Sequence, residues 1–360
     1  MLPRMSVFLD ACRLKPTSYT PVWIMRQAGR YQPEYRAIRE RVSFMELCRS
    51  PDLCSEVAVR SVEQLNVDAA IVFSDILVVL EPLGVGFEFT ADHGPKIGNP
   101  IRTAKDVDRV ATEIDAKGSL DYVMQAIRTT KKDLHGRVPL LGFSGAPFTL
   151  ASYMIEGGGS RDYHHTKAMM YGDEGAWHAL MERITDAVTR YLLAQIDAGA
   201  DALQLFDSWV GALGPSDYIQ YVQPHVKRIF EALGDRVPVI HFGAGNPALL
   251  PHVRRAGGHV IGIDHRANFM QAWTELDAAG PIAAQGNLDP STLLAGQDVM
   301  LRKAEALLNT VQNKRGHIFN LGHGVLPSAK VADVRALVDL VHEATQRTQP
   351  ARPSVLPPRA

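Results

Sequence analysis

The chain has 360 residues, of which 46% are hydrophobic, and this is enough apolar material for one large core. A formal net charge of -1 provides no basic field, so we expect no nucleic-acid partner. The three cysteines form no Cys-x-x-Cys motif, and no apolar run resembles a membrane span or a signal peptide, so we expect a cytoplasmic protein with no membrane partner.

The first apolar run, residues 21–25, stops abruptly at a charged residue and predicts a buried strand. Arg26 then lies where the chain leaves the core, and Arg30 follows four residues later. Guanidinium groups match the geometry of carboxylates, so this stretch is a candidate anion site. Alternatively, the arginines lie on a surface loop and pair with Glu34 or Glu40.

Seven more short apolar runs follow, at residues 68–73, 138–143, 202–206, 237–242, 259–263, 282–285 and 317–321. Helical patterns occur at 120–134, 177–197, 218–233, 249–256, 270–276, 299–313 and 331–345. Buried runs that alternate with helices are typical of a parallel sheet, and eight of them predict an α/β fold with a single (β/α)8 TIM barrel. An open doubly wound sheet is the alternative, although no Gly-x-Gly-x-x-Gly follows an early strand.

The pattern predicts one catalytic barrel domain over residues 1–348, without an internal linker. Residues 81–115 are expected to form a loop-rich insertion after the second strand. The proline-rich residues 349–360 are expected to form a disordered tail.

In a barrel of this kind, the chemistry lies where the carboxyl ends of the strands open into loops. The residues predicted at these ends are Arg26, Asp75, Ser144, Ser208, 241–243, Asp264, Asn287 and His323. No lysine lies at a strand end, which argues against a Schiff-base aldolase. No cysteine follows position 54, which excludes a cysteine-bound zinc on the later strands. We expect no metal, although Asp75, Asp264 and His265 remain an alternative set of ligands.

Asp75 ends the second apolar run, and further apolar residues follow it. Its carboxylate is therefore expected to face an apolar cavity, where it would need hydrogen-bond donors or a cation. The alternative is that Asp75 caps a helix N-terminus, a position where aspartate is common. We favour a functional role because Arg26 is expected one strand away.

Two glycine-rich loops are further candidates. Residues 155–160 follow Tyr153 and could act as a hinge over a site, or could form a plain flexible turn. The Gly-His-Gly sequence at 322–324 is similar to an anion-binding nest, but its His323 could equally be a structural hydrogen-bond donor.

Five long motifs resemble the uroporphyrinogen decarboxylase family in order and spacing: MRQAGRYQPEYR (25–36), FSDILV (73–78), GFSGAPFTLASYMIEGGGS (142–160), QLFDSW (204–209) and FNLGHGVLP (319–327). The resemblance runs nearly end to end. It implies a TIM barrel that is a cytoplasmic homodimer and uses no cofactor. It also implies an enzyme that converts uroporphyrinogen III to coproporphyrinogen III by removing CO2 from four acetate side chains.

The resemblance also implies a role for each site residue. Asp75 would accept hydrogen bonds from the pyrrole N–H groups, and Asp75, Arg26 and Tyr153 are the predicted catalytic residues. Substrate carboxylates would be held by Arg26, Gln27, Ala28, Gly29 and Arg30. The remaining substrate contacts would come from Tyr153, Ser208 and His323.

The chemistry of such a decarboxylation is compatible with these residue types. Protonation of the pyrrole carbon creates an electron sink, and a buried aspartate would stabilise the positive charge that develops. One rival is a barrel methyltransferase that binds zinc through a His-x-Cys pattern, but residues 241–243 contain no cysteine. A second rival is a non-catalytic tetrapyrrole carrier, which would need the arginines but not Asp75.

Overall fold

The computed structural model describes residues 6–90 and 94–347, so the predicted tail at 349–360 lies outside the described residues. The fold is α/β, with a curled parallel sheet of seven strands and a separate two-stranded hairpin. The bounds of the strands are β1 Ala70–Ile71, β2 Phe87–Thr90, β3 Gly94–Ile97, β4 Leu140–Gly145, β5 Ala202–Asp207, β6 Val239–Gly243, β7 Val260–Gly262, β8 Ala283–Gln285 and β9 His317–Ile318.

The main sheet pairs its strands in chain order, β1-β4-β5-β6-β7-β8-β9, and every pair is parallel. Every residue of β4 is buried, and so are all but one of the residues of β5. Strands that are buried on both faces appear in sequence as continuous apolar runs, which is the pattern of this chain. The parallel α/β architecture predicted from the sequence is therefore confirmed.

The helices fill the intervals between the strands, as their apolar periodicity predicted. They are α1 Val7–Cys12, α2 Pro33–Arg39, α3 Phe44–Cys48, α4 Pro51–Leu65, α5 Ala104–Val107, α6 Ala116–Ser119, α7 Asp121–Asp133, α8 Pro147–Glu156, α9 His164–Gly172, α10 Glu174–Ala198, α11 Pro215–Tyr221, α12 Gln223–Leu233, α13 Leu250–Ala256, α14 Phe269–Asp277, α15 Gln297–Val311 and α16 Val331–Ala344. In the described part of the chain, none of these helices is long and apolar enough to cross a membrane.

One predicted helix, 218–233, is two helices that meet at Val222. The backbone of Val222 leaves the helical region at φ -125, and Pro224 follows at the start of α12. Proline lacks an N–H group, so it is favoured in the first turn of a helix and disfavoured further inside it.

The first apolar run differs from its prediction. Residues 21–25 form a single parallel bridge, between Val22 and Phe319, rather than a strand of the sheet. The N–H of Val22 is bonded to a carboxylate oxygen of Asp68, at 2.7 Å, and the N–H of Met25 to the side-chain oxygen of Asn320, at 3.0 Å. Side chains therefore satisfy backbone groups that a strand would place in a ladder.

A buried polar chain crosses the interior of the curled sheet and holds this segment. The indole N–H of Trp23 donates to Gln285 at 2.7 Å, and Gln285 donates to Gln204 at 3.1 Å. Gln204 in turn contacts the sulfur of Met25 at 3.5 Å. Because each buried polar group has a partner, the chain orders the interior instead of destabilising it.

The predicted loop-rich insertion contains regular structure. Strands β2 and β3 form an antiparallel hairpin within it, and α5 follows. The N–H of Ile97 donates to the carbonyl of Gly157, and the N–H of Ile101 donates to that of Met154, both at 2.9 Å. These bonds fasten the hairpin to the C-terminal end of α8.

Candidate active site

The carboxyl ends of the strands open into a cavity of about 1210 Å³. Its floor is apolar and is supplied by consecutive strands of the sheet, with Ile71 from β1, Phe143 from β4, Phe206 from β5 and Phe242 from β6. Polar and charged side chains stand around this floor. An apolar cavity with a few placed polar groups is the usual form of a small-molecule site.

Eight of the nine residues predicted for the site line this cavity. Gln27 is the exception, because its side chain is buried and turned into the protein. Its side-chain oxygen accepts from the N–H of Ile24 at 3.1 Å, and its amide donates to the carbonyl of Ala69 at 3.0 Å. Gln27 thus supports the turn that carries Arg26, Ala28, Gly29 and Arg30. The other predicted residues in the lining come from distant parts of the chain: Asp75, Tyr153, Ser208 and His323.

Two features set the position of Arg26, namely its left-handed backbone conformation and a close contact with Gly324. Its φ of 64° lies in the left-handed region, which is uncommon for a residue other than glycine. A Cβ at Gly324 would lie 2.5 Å from Cδ of Arg26, so the arginine stem lies directly against that glycine. Within the described ranges, neither Arg26 nor Arg30 forms an ion pair with Glu34 or Glu40, so the surface-pair alternative is not found.

Asp75 lines the cavity and closes a tight turn, and it is not the N-cap of the helical turn Val78–Leu80, whose N-cap is Leu77. Its Oδ1 accepts the N–H of Leu77 at 2.9 Å, as a turn-capping aspartate does. The carboxylate also lines the cavity. Burial raises the pKa of Asp75 to about 6, although the Leu77 N–H and the charge of Arg26 act to lower that pKa.

Tyr153 stands on α8, which begins directly after β4 with Pro147 in its first turn. Its ring stacks on Trp209, with ring centroids 3.8 Å apart and planes at 29°. Burial raises the pKa of Tyr153, and so does the negative charge of Asp75, so the phenol stays protonated at neutral pH. The stack fixes the direction in which its hydroxyl group meets the cavity.

A buried hydrogen-bond network, formed by Thr149, Asp207 and Trp209, joins α8 to the turn after β5. The hydroxyl of Thr149 donates to Oδ1 of Asp207 at 2.8 Å and accepts the backbone N–H of Trp209 at 3.2 Å. Asp207 has no exposed surface, and burial raises its pKa to about 7. This network sets the position of Ser208 relative to Tyr153.

His323 lies in the last glycine-rich loop and lines the cavity. Burial lowers the pKa of His323, and so does the positive charge of Arg26, so the imidazole is neutral at neutral pH. A Cβ at Gly322 would lie 2.2 Å from the backbone nitrogen of His265, which explains a glycine at that position.

Three further arginines line the outer wall and were missed by the sequence reasoning, namely Arg36, Arg39 and Arg49. Arg36 and Arg39 are three residues apart on α2, a spacing that places both on one helix face and was a usable signal. Arg49 pairs with Glu81 at 2.7 Å. The five cavity arginines therefore come from three separate parts of the chain.

Several residues predicted at strand ends lie away from the cavity lining. Side chains alternate along a strand, so Phe242 enters the cavity while His241 is buried against Phe230 behind the sheet. Asp264 pairs with Arg266 at 2.7 Å. In the portion of the chain that is described, the alternative metal ligands Asp75, Asp264 and His265 do not converge into one cluster. The remaining predicted residues outside the lining are Ser144, Gly243 and Asn287.

Comparison with known proteins gives a consistent result over nearly the whole chain. The family model described as "Uroporphyrinogen decarboxylase (URO-D)" matches residues 3–344. A uroporphyrinogen decarboxylase of a Roseiflexus species is 49% identical over 345 residues, covering 94% of this chain and 98% of the relative. A protein of the same name from Carboxydothermus hydrogenoformans is 49% identical over 337 residues, covering 93% and 95%.

Solved structures with the same fold are more distant in sequence. A methyltransferase from Methanosarcina mazei superposes with a TM-score of 0.79 at 18% identity, covering 95% of this chain and 99% of that chain. A putative vitamin-B12 independent methionine synthase from Listeria monocytogenes gives a TM-score of 0.56 at 11% identity, covering 91% and 97%. At these identities, the likeness concerns the fold alone.

Proposed function

Because the chain belongs to the uroporphyrinogen decarboxylase family, we propose that its cavity removes the four acetate carboxyl groups of uroporphyrinogen III as CO2 and releases coproporphyrinogen III. Membership of the family makes the chain a carboxy-lyase. One observation supports the proposed reaction above the others. Five arginines stand around a cavity of about 1210 Å³ that also contains the carboxylate of Asp75.

The arginines suit a substrate that carries eight carboxylates. Arg26 and Arg30 are exposed to the cavity, and in the described residues neither is engaged by a protein carboxylate. A guanidinium group can bind a carboxylate through two parallel hydrogen bonds, which fixes the orientation of the substrate as well as binding it. The backbone of residues 27–29 would complete the binding site for the substrate carboxylates, while the Gln27 side chain supports the turn.

The carboxylate of Asp75 is suited to bind the pyrrole N–H groups at the centre of the macrocycle. Its ionised form can accept the pyrrole N–H groups, and its charge is already in place when the ring becomes cationic. The Leu77 N–H holds one oxygen, so the carboxylate needs little reorganisation during the reaction. A preorganised charge in a poorly solvated site stabilises a transition state more than the same charge does in water.

Each decarboxylation proceeds through three proton transfers and one carbon–carbon bond cleavage. A proton adds to the ring carbon adjacent to the one that bears the acetate, and the ring becomes an iminium-like electron sink conjugated with the acetate-bearing carbon. The bond to the carboxylate then breaks, its electron pair enters the ring, and CO2 leaves. Protonation of the resulting methylene carbon gives the methyl group, and loss of the first proton restores the pyrrole. The neutral groups of Tyr153 and His323 would orient the substrate by hydrogen bonds.

We also propose that residues 21–25 take the eighth strand position and close the sheet into a (β/α)8 barrel. This barrel would form one domain over residues 1–348. The bridge from Val22 to Phe319 supports this on one side. The bond from the N–H of Asp68 to the carbonyl of Val22, at 2.7 Å, supports it on the other side.

We further propose that the protein is a cytoplasmic homodimer. All three cysteines, Cys12, Cys48 and Cys54, are buried free thiols, and this state is expected in a reducing compartment. The dimer follows from the family resemblance. Light scattering on the eluting peak of a gel-filtration column tests it, and a monomer mass at micromolar concentration would contradict it.

The direct test is to incubate the purified protein anaerobically with uroporphyrinogen III, a chelator and no added cofactor. We expect products with seven, six, five and four carboxylates to appear stepwise. The matched control is Asp75→Asn, which should bind the substrate and release little CO2. Binding by the wild type without any CO2 release would indicate a tetrapyrrole carrier. Absence of binding would contradict the proposed reaction and favour the rival hypothesis of a barrel methyltransferase.

A further inference from the structure

A second cluster of chemically active side chains lies outside the cavity lining. Glu156, His164 and His165 each offer one ligand atom, and these atoms lie within 4.8 Å of one another. Glu156 is the last residue of α8, and the two histidines begin α9. Because the glutamate and the histidines lie on different helices, only the path of the 157–163 loop brings them together.

The carboxylate of Glu156 is already oriented. One of its oxygens, Oε1, accepts both the backbone N–H and the hydroxyl of Thr166, each at 2.8 Å. The other oxygen is left to serve as a ligand. The rings of His164 and His165 lie side by side, with centroids 4.0 Å apart and planes at 46°.

The charges near the cluster act in opposite directions on a bound cation. The C-terminal end of α8 carries partial negative charge, which favours a cation at Glu156. The guanidinium of Arg102 donates to the Glu156 carbonyl at 3.3 Å, and the N-terminus of α9 is partially positive. A cation here would therefore be bound less tightly than in a closed structural site.

We propose that Glu156, His164 and His165 form a binding site for a divalent first-row transition ion, with Zn²⁺ as the reference ion. Two imidazoles and one carboxylate are a common zinc ligand set, and water would complete the tetrahedron. Zinc bonds to nitrogen and oxygen of about 2.0–2.2 Å place ligand atoms roughly 3.5 Å apart. Both histidines are exposed, so a bound ion could draw their imidazole rings toward this spacing.

The ion would bridge α8 and α9 across the loop that joins them. Tyr163, the residue before α9, packs on Trp209 with ring centroids 5.3 Å apart, and Trp209 stacks on Tyr153. The site therefore ties down a segment that supports one wall of the cavity. The inference stands independently of the proposed reaction, because it concerns only metal binding by the chain.

The test is calorimetric titration of the full-length, chelator-treated protein with Zn²⁺ in a buffer that does not bind zinc. The wild type should bind one Zn²⁺ per chain at this site, and His164→Asn and His165→Asn should each weaken binding about tenfold or more. Glu156→Gln should weaken it too, while its amide oxygen still accepts the bonds from Thr166. The matched control is His135→Asn, which changes an exposed histidine outside the cluster.

A second readout separates binding from folding. Zn²⁺ should raise the melting temperature of the wild type and of His135→Asn, because a ligand that binds only the folded state stabilises it. It should leave the melting temperature of His164→Asn nearly unchanged. Equal zinc affinity in the wild type and the three cluster variants would overturn the proposal. So would a loss in His135→Asn as large as the loss in the cluster variants.

Discussion

A single carboxylate, Asp75, illustrates how residue-scale forces shape the cavity. Its Oδ1 completes a turn with Leu77, and its remaining surface faces a cavity with an apolar floor. Burial raises its pKa to about 6, so a protein without a use for this charge would gain by replacing it. A carboxylate that is kept ionised in such a place is typical of a functional site.

The first prediction concerns the charge of Asp75. Asp75→Asn should retain substrate binding but lose about 100-fold or more in kcat, because a preorganised charge is removed. The raised pKa implies that the wild-type carboxylate is protonated below pH about 6, so kcat/KM should fall tenfold per pH unit below that value. Steady-state rates between pH 5 and 8 measure both effects.

The control for this pH profile is Asp207→Asn, because burial also raises the pKa of Asp207, to about 7. If the acidic limb disappears in Asp207→Asn and persists in Asp75→Asn, the assignment to Asp75 is wrong. Near-normal turnover by Asp75→Asn would remove its proposed role.

The second prediction concerns the shape of the Arg26 side chain. Arg26→Lys keeps the positive charge but replaces the planar fork by a point charge, so the Michaelis constant should rise about tenfold. Initial rates at a series of substrate concentrations measure this change. Arg315→Lys, at an exposed arginine outside the cavity lining, is the matched control. An unchanged Michaelis constant for Arg26→Lys would place Arg26 outside the site.

At the scale of the elements, the cavity depends on how α8 is joined to the turn after β5. Thr149, Asp207 and Trp209 connect the helix that bears Tyr153 to the turn that bears Ser208. Both Thr149 and Asp207 are fully buried. Hydrogen bonds in this setting matter chiefly because an unpaired buried group is strongly unfavourable.

The third prediction tests this junction with Thr149→Val, which conserves shape and removes the hydroxyl. It leaves Asp207 and the Trp209 N–H unpaired, so the free energy of unfolding should fall by about 1–3 kcal/mol. The value of kcat/KM should fall too, because Tyr153 and Ser208 lose their common support. Urea unfolding and steady-state kinetics provide the measurements.

Thr130→Val on α7 is the matched control, because the Thr130 hydroxyl is buried and, in the described structure, has no hydrogen-bond partner. Its removal should change stability little. Equal destabilisation by the two substitutions would show that the Thr149 bonds are not responsible.

At the scale of the whole molecule, Asp68 connects distant parts of the chain. Its Oδ2 accepts the N–H of Val22 and contacts His342 of α16, each at 2.7 Å, while its Oδ1 accepts the hydroxyl of Tyr19 at 2.8 Å. Asp68 itself lies two residues before the start of β1. One buried carboxylate therefore holds the N-terminal segment, the sheet and the last helix together.

The fourth prediction follows from these contacts. Asp68→Ala should lower the free energy of unfolding by about 3 kcal/mol, because it leaves several buried partners unpaired. Denaturant unfolding measures the change. Asp235→Ala removes an exposed carboxylate that pairs with His259, and should have almost no effect. A small loss in Asp68→Ala would mean that packing alone holds the N-terminal segment.

The sequence by itself determined the alternation of strands and helices, the family, and part of the charged lining of the cavity, namely Arg26, Arg30 and Asp75. These features are local, since a run of apolar residues or the motif at 25–36 does not depend on distant contacts. Burial on both faces of a parallel strand leaves a direct trace in the sequence, so seven of the eight predicted strand positions hold strands of the sheet. The roles of the site residues remain predictions.

Only the tertiary structure decided how separate segments meet. It turned Gln27 inward, reduced the run at 21–25 to a single bridge, brought the α2 arginines to the cavity and placed Glu156 beside His164. Each of these outcomes depends on a hydrogen bond or packing contact between positions that are distant in sequence or joined by an irregular loop. Apolar periodicity carries no information about such contacts, because it records which side of an element is buried and not what buries it.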